Sequence, residues 1–287
     1  MRARTALRHG SAVLLTLAAA AWFSGTAAAA PQFAPADTAM IHPGVVTTTT
    51  GDCTSNFVFT NGTDVFLGQA AHCAGTEGPS VTSGCLAGSM PLGTPVTVQG
   101  ASRPGTLVYS SWLTMQRIGE TDSDTCAAND FALVKLDPAD VAATNPSVPV
   151  FGGPTGVDTD GAAAGESVFT YGNSPLRVGI EQLSPKSGVV LETVNGGWTY
   201  NILTLTPGVP GDSGSAVLST NGEALGVLVT LAIAPSTGSN GVTDLSRALA
   251  YANEHGEVGE LSLVSGTEDA NVTQLSFLGG LLGGLGL

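Results

Sequence analysis

The stretch Gly208-Val209-Pro210-Gly211-Asp212-Ser213-Gly214-Ser215-Ala216-Val217 places a serine in a glycine-rich turn directly before an apolar strand. A serine hydroxyl is a poor nucleophile unless a base takes its proton. Gly211 and Gly214 leave room for a substrate beside the hydroxyl and permit unusual backbone conformations. Such a turn can direct two backbone N–H groups at one point, where they would stabilise an oxyanion. An ordinary Gly/Asp/Ser turn is the alternative, and this stretch alone does not exclude it.

A histidine and an aspartate elsewhere in the chain supply what such a serine needs. His72 lies in Gly68-Gln69-Ala70-Ala71-His72-Cys73, and a pKa near 6.5 suits a histidine to exchange protons around neutral pH. Asp130 begins the apolar run Asp130-Phe131-Ala132-Leu133-Val134-Lys135-Leu136. A carboxylate drawn inward at that point requires a hydrogen-bond donor, such as an imidazole N–H. Taken singly, each residue also has a structural interpretation, as a packed histidine or an exposed turn aspartate.

The three motifs occur in the order His, Asp, Ser, with separations of 58 and 83 residues. In this order the chain resembles the chymotrypsin/trypsin-like serine proteases, especially secreted bacterial ones, over roughly residues 48–256. The resemblance implies two antiparallel β-barrels with the active site in the cleft between them. It implies that His72 is the general base, Asp130 its orienting carboxylate and Ser213 the nucleophile. The implied oxyanion hole is formed by the backbone N–H groups of Gly211 and Ser213.

Other serine hydrolases do not fit the observed chain order. The α/β-hydrolases run Ser, acid, His and have a glycine two residues after the nucleophile, where this chain has Ser215. Subtilisin-like enzymes run Asp, His, Ser.

Two departures from the family bear on specificity and on activation. Trypsin-like members carry an Asp six residues before the nucleophile, but Pro207 stands there in this chain, so we expect an uncharged P1 residue rather than Lys or Arg.

Animal members activate when a freed Ile-Val N-terminus pairs with the acid that precedes the serine. Asp212 is present, yet Ile41 is not followed by Val-Gly-Gly. Activation by a freed N-terminus is therefore not expected, and the sequence does not identify the group that pairs with Asp212.

Short β-branched runs separated by turn residues predict an all-β fold between about residues 45 and 242. Phe57–Thr60 and Val65–Leu67, joined across Asn61-Gly62, form a predicted hairpin. One short helix is predicted near the C-terminus, over 244–255, with Asp244 as its cap. The apolar face of this helix is formed by Leu245, Ala248, Leu249 and Ala252.

The chain divides into five predicted segments. Residues 1–30 combine three arginines, an apolar run and small residues, as a secretory signal peptide does, and predict a secreted, extracellular protein. Residues 31–47 are a short propeptide or N-terminal linker. Residues 48–150 form the N-terminal barrel with His72 and Asp130, and 151–256 form the C-terminal barrel with Ser213 and the helix. Residues 257–287 form a Gly/Leu-rich tail, and the apolar run at its end, Leu275–Leu287, is too short to span a bilayer.

Four cysteines in an exported chain predict two disulfides. Three pairings are possible, and Cys53–Cys73 with Cys85–Cys126 is favoured because it closes short loops. The resemblance supports this pairing, since the family has a disulfide beside its catalytic histidine. No Cys-x-x-Cys pair is present, so no metal site is expected at these cysteines.

Composition limits the partners that this protein can bind. The 287 residues include 39 Gly and 16 Pro, and only 11% are charged, against about 25% in an ordinary domain. The 9 Lys and Arg face 23 Asp and Glu, a formal charge of −14 that becomes −17 once the three arginines of the signal peptide are removed. Nucleic-acid binding is excluded because there are too few cations to cluster. We expect a monomer without a cofactor, acting on a protein or peptide.

Weaker motifs are treated as surface features. The acidic groups Glu120, Asp122, Asp124 and Asp158, Asp160 could bind calcium, but neither completes an EF-hand loop, and solvated loops are favoured. Asn61-Gly62-Thr63 and Asn271-Val272-Thr273 fit the glycosylation pattern, which is common by chance.

The sequence therefore predicts a secreted serine endopeptidase that forms an acyl-enzyme on Ser213. Two alternatives remain: a catalytically silent homologue acting as a surface binding or adhesion module, and a serine esterase on the same fold.

Overall fold

The computed structural model describes residues 31–77, 83–231 and 238–272. The predicted signal peptide and the Leu/Gly-rich end of the chain lie outside these ranges. Three α-helices are described: α1 (Ser111–Ile118), α2 (Ser123–Ala128) and α3 (Leu245–His255). The strands are β1 (Val46–Thr48), β2 (Asp52–Thr54), β3 (Val58–Thr60), β4 (Val65–Gln69), β5 (Pro95–Val98), β6 (Gly105–Ser110), β7 (Ala132–Lys135), β8 (Ser167–Tyr171), β9 (Pro185–Val194), β10 (Thr199–Thr204), β11 (Ala216–Leu218), β12 (Ala224–Leu231), β13 (Asn240–Asp244) and β14 (Ser262–Leu263).

The first β unit is an antiparallel sheet of eight strands in the order β14-β3-β4-β7-β6-β5-β1-β2. The predicted hairpin is its β3–β4 pair, in which Val58 lies opposite Leu67. All five residues of β4 are buried, because this strand lies between β3 and β7 with packed side chains on both faces. β4 is therefore a rigid support for the residues that follow it, which include His72.

The second β unit is a closed antiparallel barrel of six strands in the order β10-β13-β12-β11-β8-β9. Its interior is filled by branched apolar side chains, as a small barrel requires. They include Val168, Val190, Ile202, Val217, Leu225, Leu228 and Val242. The all-β class with two antiparallel units and a C-terminal helix is confirmed. Among the described residues, hydrogen bonding closes the second unit only, and the first has edges at β14 and β2.

Helix α3 begins and ends where the sequence predicts. The Asp244 carboxylate accepts a hydrogen bond of 2.8 Å from the Arg247 N–H, which satisfies one free donor of the first turn. The predicted apolar face is buried against β12 and α1.

Two short helices of the first unit were not predicted. In α2, the Asp122 carboxylate accepts from the Thr125 N–H, and Glu120 accepts from the backbone N–H groups of Thr121 and Asp122. Two of the acidic groups considered as calcium ligands therefore satisfy backbone donors at the start of this helix. Neither helix spans more than eight residues, so periodicity in the sequence is weak there. No helix among the described ranges is long and apolar enough to cross a bilayer.

Residues 257–272 run along both units after α3. β14 pairs with β3 of the first unit. Further along, the Gly153 N–H donates to the Glu268 carbonyl, and Asn145 donates to the Thr267 hydroxyl. This first part of the predicted tail thus packs against the connection between the units.

Candidate active site

His72 lies immediately after β4, in a short 3-10 turn over Ala71–Ala74. The preceding residues, Ala70 and Ala71, are fully buried, and small side chains are all that fit there. Cys73 is bonded to Cys53, so the turn is fixed covalently to β2. The His72 side chain itself remains 28% exposed. The backbone is therefore held firmly while the imidazole can still meet a substrate.

Asp130 contacts His72 at two points. Its Oδ2 lies 2.6 Å from His72 Nδ1, and its Oδ1 accepts a 2.9 Å hydrogen bond from the His72 backbone N–H. A carboxylate only accepts hydrogen bonds, so Nδ1 carries the proton and Nε2 is left free to act as a base. The Asp130 side chain is 13% exposed.

Ser111 orients the peptide groups around Asp130. Its hydroxyl donates to the Asn129 carbonyl at 2.8 Å and accepts from the Phe131 N–H at 3.0 Å. The residues on both sides of Asp130 are buried, so the carboxylate has one available direction. Sequence reasoning missed Ser111, because nothing in its local motif points to a partner 18 to 20 residues away.

Two opposing effects act on the pKa of His72. Burial disfavours the charged imidazolium and lowers the pKa, whereas the charge of Asp130 and its hydrogen bond raise it. The net result is a pKa above the ordinary value of 6.5. Asp130 therefore makes His72 a stronger base than a free imidazole.

The turn containing Ser213 is anchored to the first unit by Thr54. The Thr54 N–H donates to the Ser213 carbonyl at 2.8 Å, and its hydroxyl donates to the Gly211 carbonyl at 2.7 Å. A Cβ at position 214 would lie 2.3 Å from the Thr54 carbonyl oxygen and 3.1 Å from Ala70 N, so only glycine fits this approach.

These contacts place the serine turn beside the segment that leads to His72. Thr54 follows Cys53, whose disulfide partner Cys73 follows His72. A Cβ added at Gly214 would lie 3.1 Å from the backbone nitrogen of Ala70, which is two residues before His72. His72 and Asp130 are thus in direct contact, and the turn that contains Ser213 lies beside the segments that precede His72 and follow Cys53.

The backbone of the serine turn leaves two amides free. Gly211 and Gly214 have φ angles of 98° and 91°, a left-handed conformation that favours glycine. Within the described ranges, the N–H groups of Gly211 and Ser213 have no protein acceptor, whereas the Asp212 N–H donates to Val209 O and the Gly214 N–H to Leu228 O. The two amides expected to form the oxyanion hole are the two that are left available.

Asp212 has two cationic partners inside the protein. Its fully buried carboxylate forms an ion pair with Arg177 and lies 3.3 Å from Lys186 Nζ. It also accepts from the backbone N–H groups of Ser174 and Val209, at 3.1 and 3.0 Å. The partners of Asp212, which the sequence left open, are therefore Arg177, Lys186 and two backbone amides. The N-terminal amine that pairs with this acid in animal family members is not among them.

Lys186 is an unusual member of this cluster because it is fully buried. Burial lowers its pKa to about 8, with Asp212 opposing and Arg177 adding to the effect. Two cations and one carboxylate leave the cluster with an excess of positive charge at neutral pH.

The expected P1 region lies beside the serine turn. The Asn240 amide holds Gly208 through hydrogen bonds to both its N–H and its carbonyl. Pro207 contributes its carbonyl, which lies 3.4 Å from the Arg177 guanidinium. In β12, the Leu228 side chain packs against Gly208, since a Cβ added at position 208 would lie 3.0 Å from Leu228 Cδ1.

The structure contains two disulfides, Cys53–Cys73 and Cys85–Cys126, which join the cysteines of the favoured pairing. Such bonds suit an oxidising compartment. The sulfurs of Cys53 and Cys73 lie near the His72 ring, but their covalent bond removes them as metal ligands.

Several solved structures are similar to this chain. Thermobifida fusca protease A has 19% identity, a TM-score of 0.49 and coverage of 79% of this chain and 99% of its own. Cellulomonas bogoriensis chymotrypsin has 17% identity, a TM-score of 0.46 and coverage of 78% and 98%. Nocardiopsis protease has 16% identity, a TM-score of 0.45 and coverage of 78% and 98%. The chain resembles bacterial chymotrypsin-like serine proteases. No family model and no curated protein matches the chain.

Proposed function

We propose that the protein is a secreted serine endopeptidase with His72, Asp130 and Ser213 as its catalytic residues. The observation that carries the proposal is the two-point contact between Asp130 and His72, which holds the imidazole in the tautomer that leaves Nε2 as the free base. A silent binding module would not need a histidine held in one tautomer.

The reaction follows from this arrangement. Ser213 Oγ attacks the scissile carbonyl carbon as His72 Nε2 takes its proton, and the new oxyanion accepts hydrogen bonds from the N–H groups of Gly211 and Ser213. The imidazolium, stabilised by Asp130, then protonates the leaving amine, so the C–N bond breaks and an acyl-enzyme remains. Water attacks the ester with His72 again as base, which releases the acid and restores Ser213.

An uncharged P1 residue fits the groups beside the turn. The chain offers a proline carbonyl at the expected base of the pocket, and the nearby Arg177 charge is already matched by Asp212. No carboxylate there is free to pair with a Lys or Arg of a substrate, among the residues that the structure describes.

A peptide library that varies P1 tests this proposal on the mature, oxidised protein. We expect cleavage after uncharged residues, and loss of all cleavage in Ser213→Ala. Cleavage that persists in Ser213→Ala, or activity on simple esters without any peptide cleavage, would contradict it. The mass of the exported protein checks the signal peptide, since processing near Ala30 would leave Pro31 as the first residue.

A further inference from the structure

The outer face of strands β9 and β10 carries apolar side chains that remain exposed. Val189 is 37% exposed, Leu203 43% and Leu205 76%. Side chains alternate between the two faces of a strand, and Val190 and Ile202 fill the barrel interior, so these three point outward. Val189 lies directly opposite Leu203, and Leu205 is two residues further along. We call the three the outer strip; a contiguous apolar group of this kind usually marks a surface that binds something.

The chain carries an apolar segment of its own beyond the last described residue. Residues 275–287 comprise six leucines, one phenylalanine, five glycines and one serine, with no charged side chain. Seven large apolar side chains on so short a segment would favour aggregation of an exported protein if they stayed in water. The chemistry of this segment therefore suits an apolar protein face and does not suit solvent.

The described part of the tail ends against the second unit. The Asn271 N–H donates to the Phe151 carbonyl, and Val272 packs on the hydrophobic cluster to which Phe151 belongs. The ring of Phe151 lies 5.7 Å from that of Phe169 in β8, measured between centroids. Phe169 points outward, because its neighbour Val168 fills the barrel interior. The chain thus leaves the described ranges beside the outer face of β8.

From β8 the outer strip is two strands away. Ser187 of β9 lies opposite Phe169, and its carbonyl accepts a hydrogen bond of 3.1 Å from the Leu205 N–H. Adjacent strands are about 4.8 Å apart, so about 10 Å separates Phe169 from Leu205 across the barrel surface. Residues 273–287 can span about 50 Å when extended. The segment is therefore long enough to reach the outer strip and to lie across it.

We propose that residues 275–287 bind the outer strip of their own chain and cover Val189, Leu203 and Leu205 with their leucine and phenylalanine side chains. Because the segment is tethered close to the strip, its effective concentration there is on the order of millimolar, so a modest apolar contact holds it. A second copy of the protein would lose translational freedom to form the same contact. The proposed contact involves none of the catalytic residues and does not depend on the proposed function.

Hydroxyl-radical footprinting, which reports the exposure of individual side chains, tests this contact. Two chains are compared, one complete and one ending at Val272, both with Ser213→Ala so that neither can cleave the tail. We expect Leu203 and Leu205 to be oxidised severalfold more slowly in the complete chain, because the segment shields them from solvent. Leu86 is the internal control, since it is 81% exposed in the first unit and should be oxidised at the same rate in both chains.

A variant of the strip tests the contact from the other side. Leu203→Asp combined with Leu205→Asp should release the segment, because the contact would bury two carboxylates. Oxidation of Phe277 and Leu281 in the complete chain should then rise severalfold, whereas Leu86→Asp should leave it unchanged. Both strip positions face outward, so the double variant should keep the circular dichroism spectrum of the parent chain.

Two results would overturn the proposal. The first is equal oxidation of Leu203 and Leu205 in the complete and the shortened chain. The second is protection of the strip that disappears on dilution together with a dimer seen in sedimentation, since the occupant would then be a second copy of the protein. Neither result bears on peptide cleavage, which the P1 library tests separately.

Discussion

Two carboxylates belong to the proposed site, Asp130 beside His72 and Asp212 next to Ser213 in the chain, and their surroundings are opposite. Asp130 is partly exposed, and among the described residues its one ionisable partner is His72. Asp212 is fully buried and contacts two cations and two backbone amides. The first contact can accommodate a histidine that gains and loses a proton in every cycle. The second holds the backbone of the serine turn in one conformation, which is what an oxyanion site needs.

Neutralising the two carboxylates should therefore have different effects: loss of Asp130 should reduce kcat, and loss of Asp212 should reduce the free energy of unfolding. Asp130→Asn keeps the shape of the site but offers His72 a donor as well as an acceptor, so the imidazole is no longer held in the tautomer that leaves Nε2 free. We expect kcat to fall on the order of 10⁴-fold, with little change in the melting temperature. Steady-state kinetics and calorimetry on the same preparation check this, and a loss of less than tenfold would contradict the role of Asp130.

Asp212→Asn should instead unfold the protein more readily, because it leaves Arg177 and Lys186 buried without a counter-charge. Removing one partner from a buried ion pair typically costs about 3–5 kcal/mol in the free energy of unfolding. Arg177→Met should cost less, since Lys186 still faces the carboxylate at 3.3 Å. Denaturant titration compares the two variants. If Arg177→Met is the more damaging, Lys186 does not share the charge of Asp212.

Lys186→Met tests the surroundings of Asp212 through the pH dependence of the free energy of unfolding. The folded protein lowers the pKa of Lys186 from 10.5 to about 8, so between these values the unfolded chain binds more protons than the folded one. Stability of the wild type should then rise with pH across that window. Lys186→Met lacks this rise, and we expect it to be more stable at pH 7 by up to about 3 kcal/mol, with the difference shrinking toward pH 10.

Unfolding free energies measured at several pH values between 7 and 10 provide the check. A Met variant that is less stable than the wild type at pH 7, by a margin that does not depend on pH, would show that the ammonium group stabilises the cluster.

Short contiguous motifs account for what could be predicted from the sequence. His72, Asp130 and Ser213 each lie in a run of residues whose chemistry is visible locally, and α3 has a cap and a clear apolar face. The same holds for the hairpin of β3 and β4, which a local turn joins. Their order in the chain is the one signal in the sequence that links the three motif residues to a common site.

Contacts between distant residues account for what could not be predicted. Arg177 contacts Asp212 across 35 residues, and Thr54 contacts Gly211 across 157. The motif around Gly211 and Asp212 carries no information about which distant residue pairs with either. β14 pairs with β3 across some 200 residues, within a segment that composition alone presents as a tail.

The rate at which a sulfonyl fluoride labels Ser213, measured against pH, tests the central claim most directly. The nucleophile reacts only when His72 is neutral, so labelling should rise with pH through a single step whose midpoint lies above 6.5, the direction in which Asp130 shifts the pKa of His72. Mass spectrometry should find one adduct, on Ser213, and in Asp130→Asn the step should move to lower pH as the rate falls. An adduct elsewhere, or a Ser213 labelling rate that does not change between pH 5 and pH 8, would contradict the assignment of these three residues.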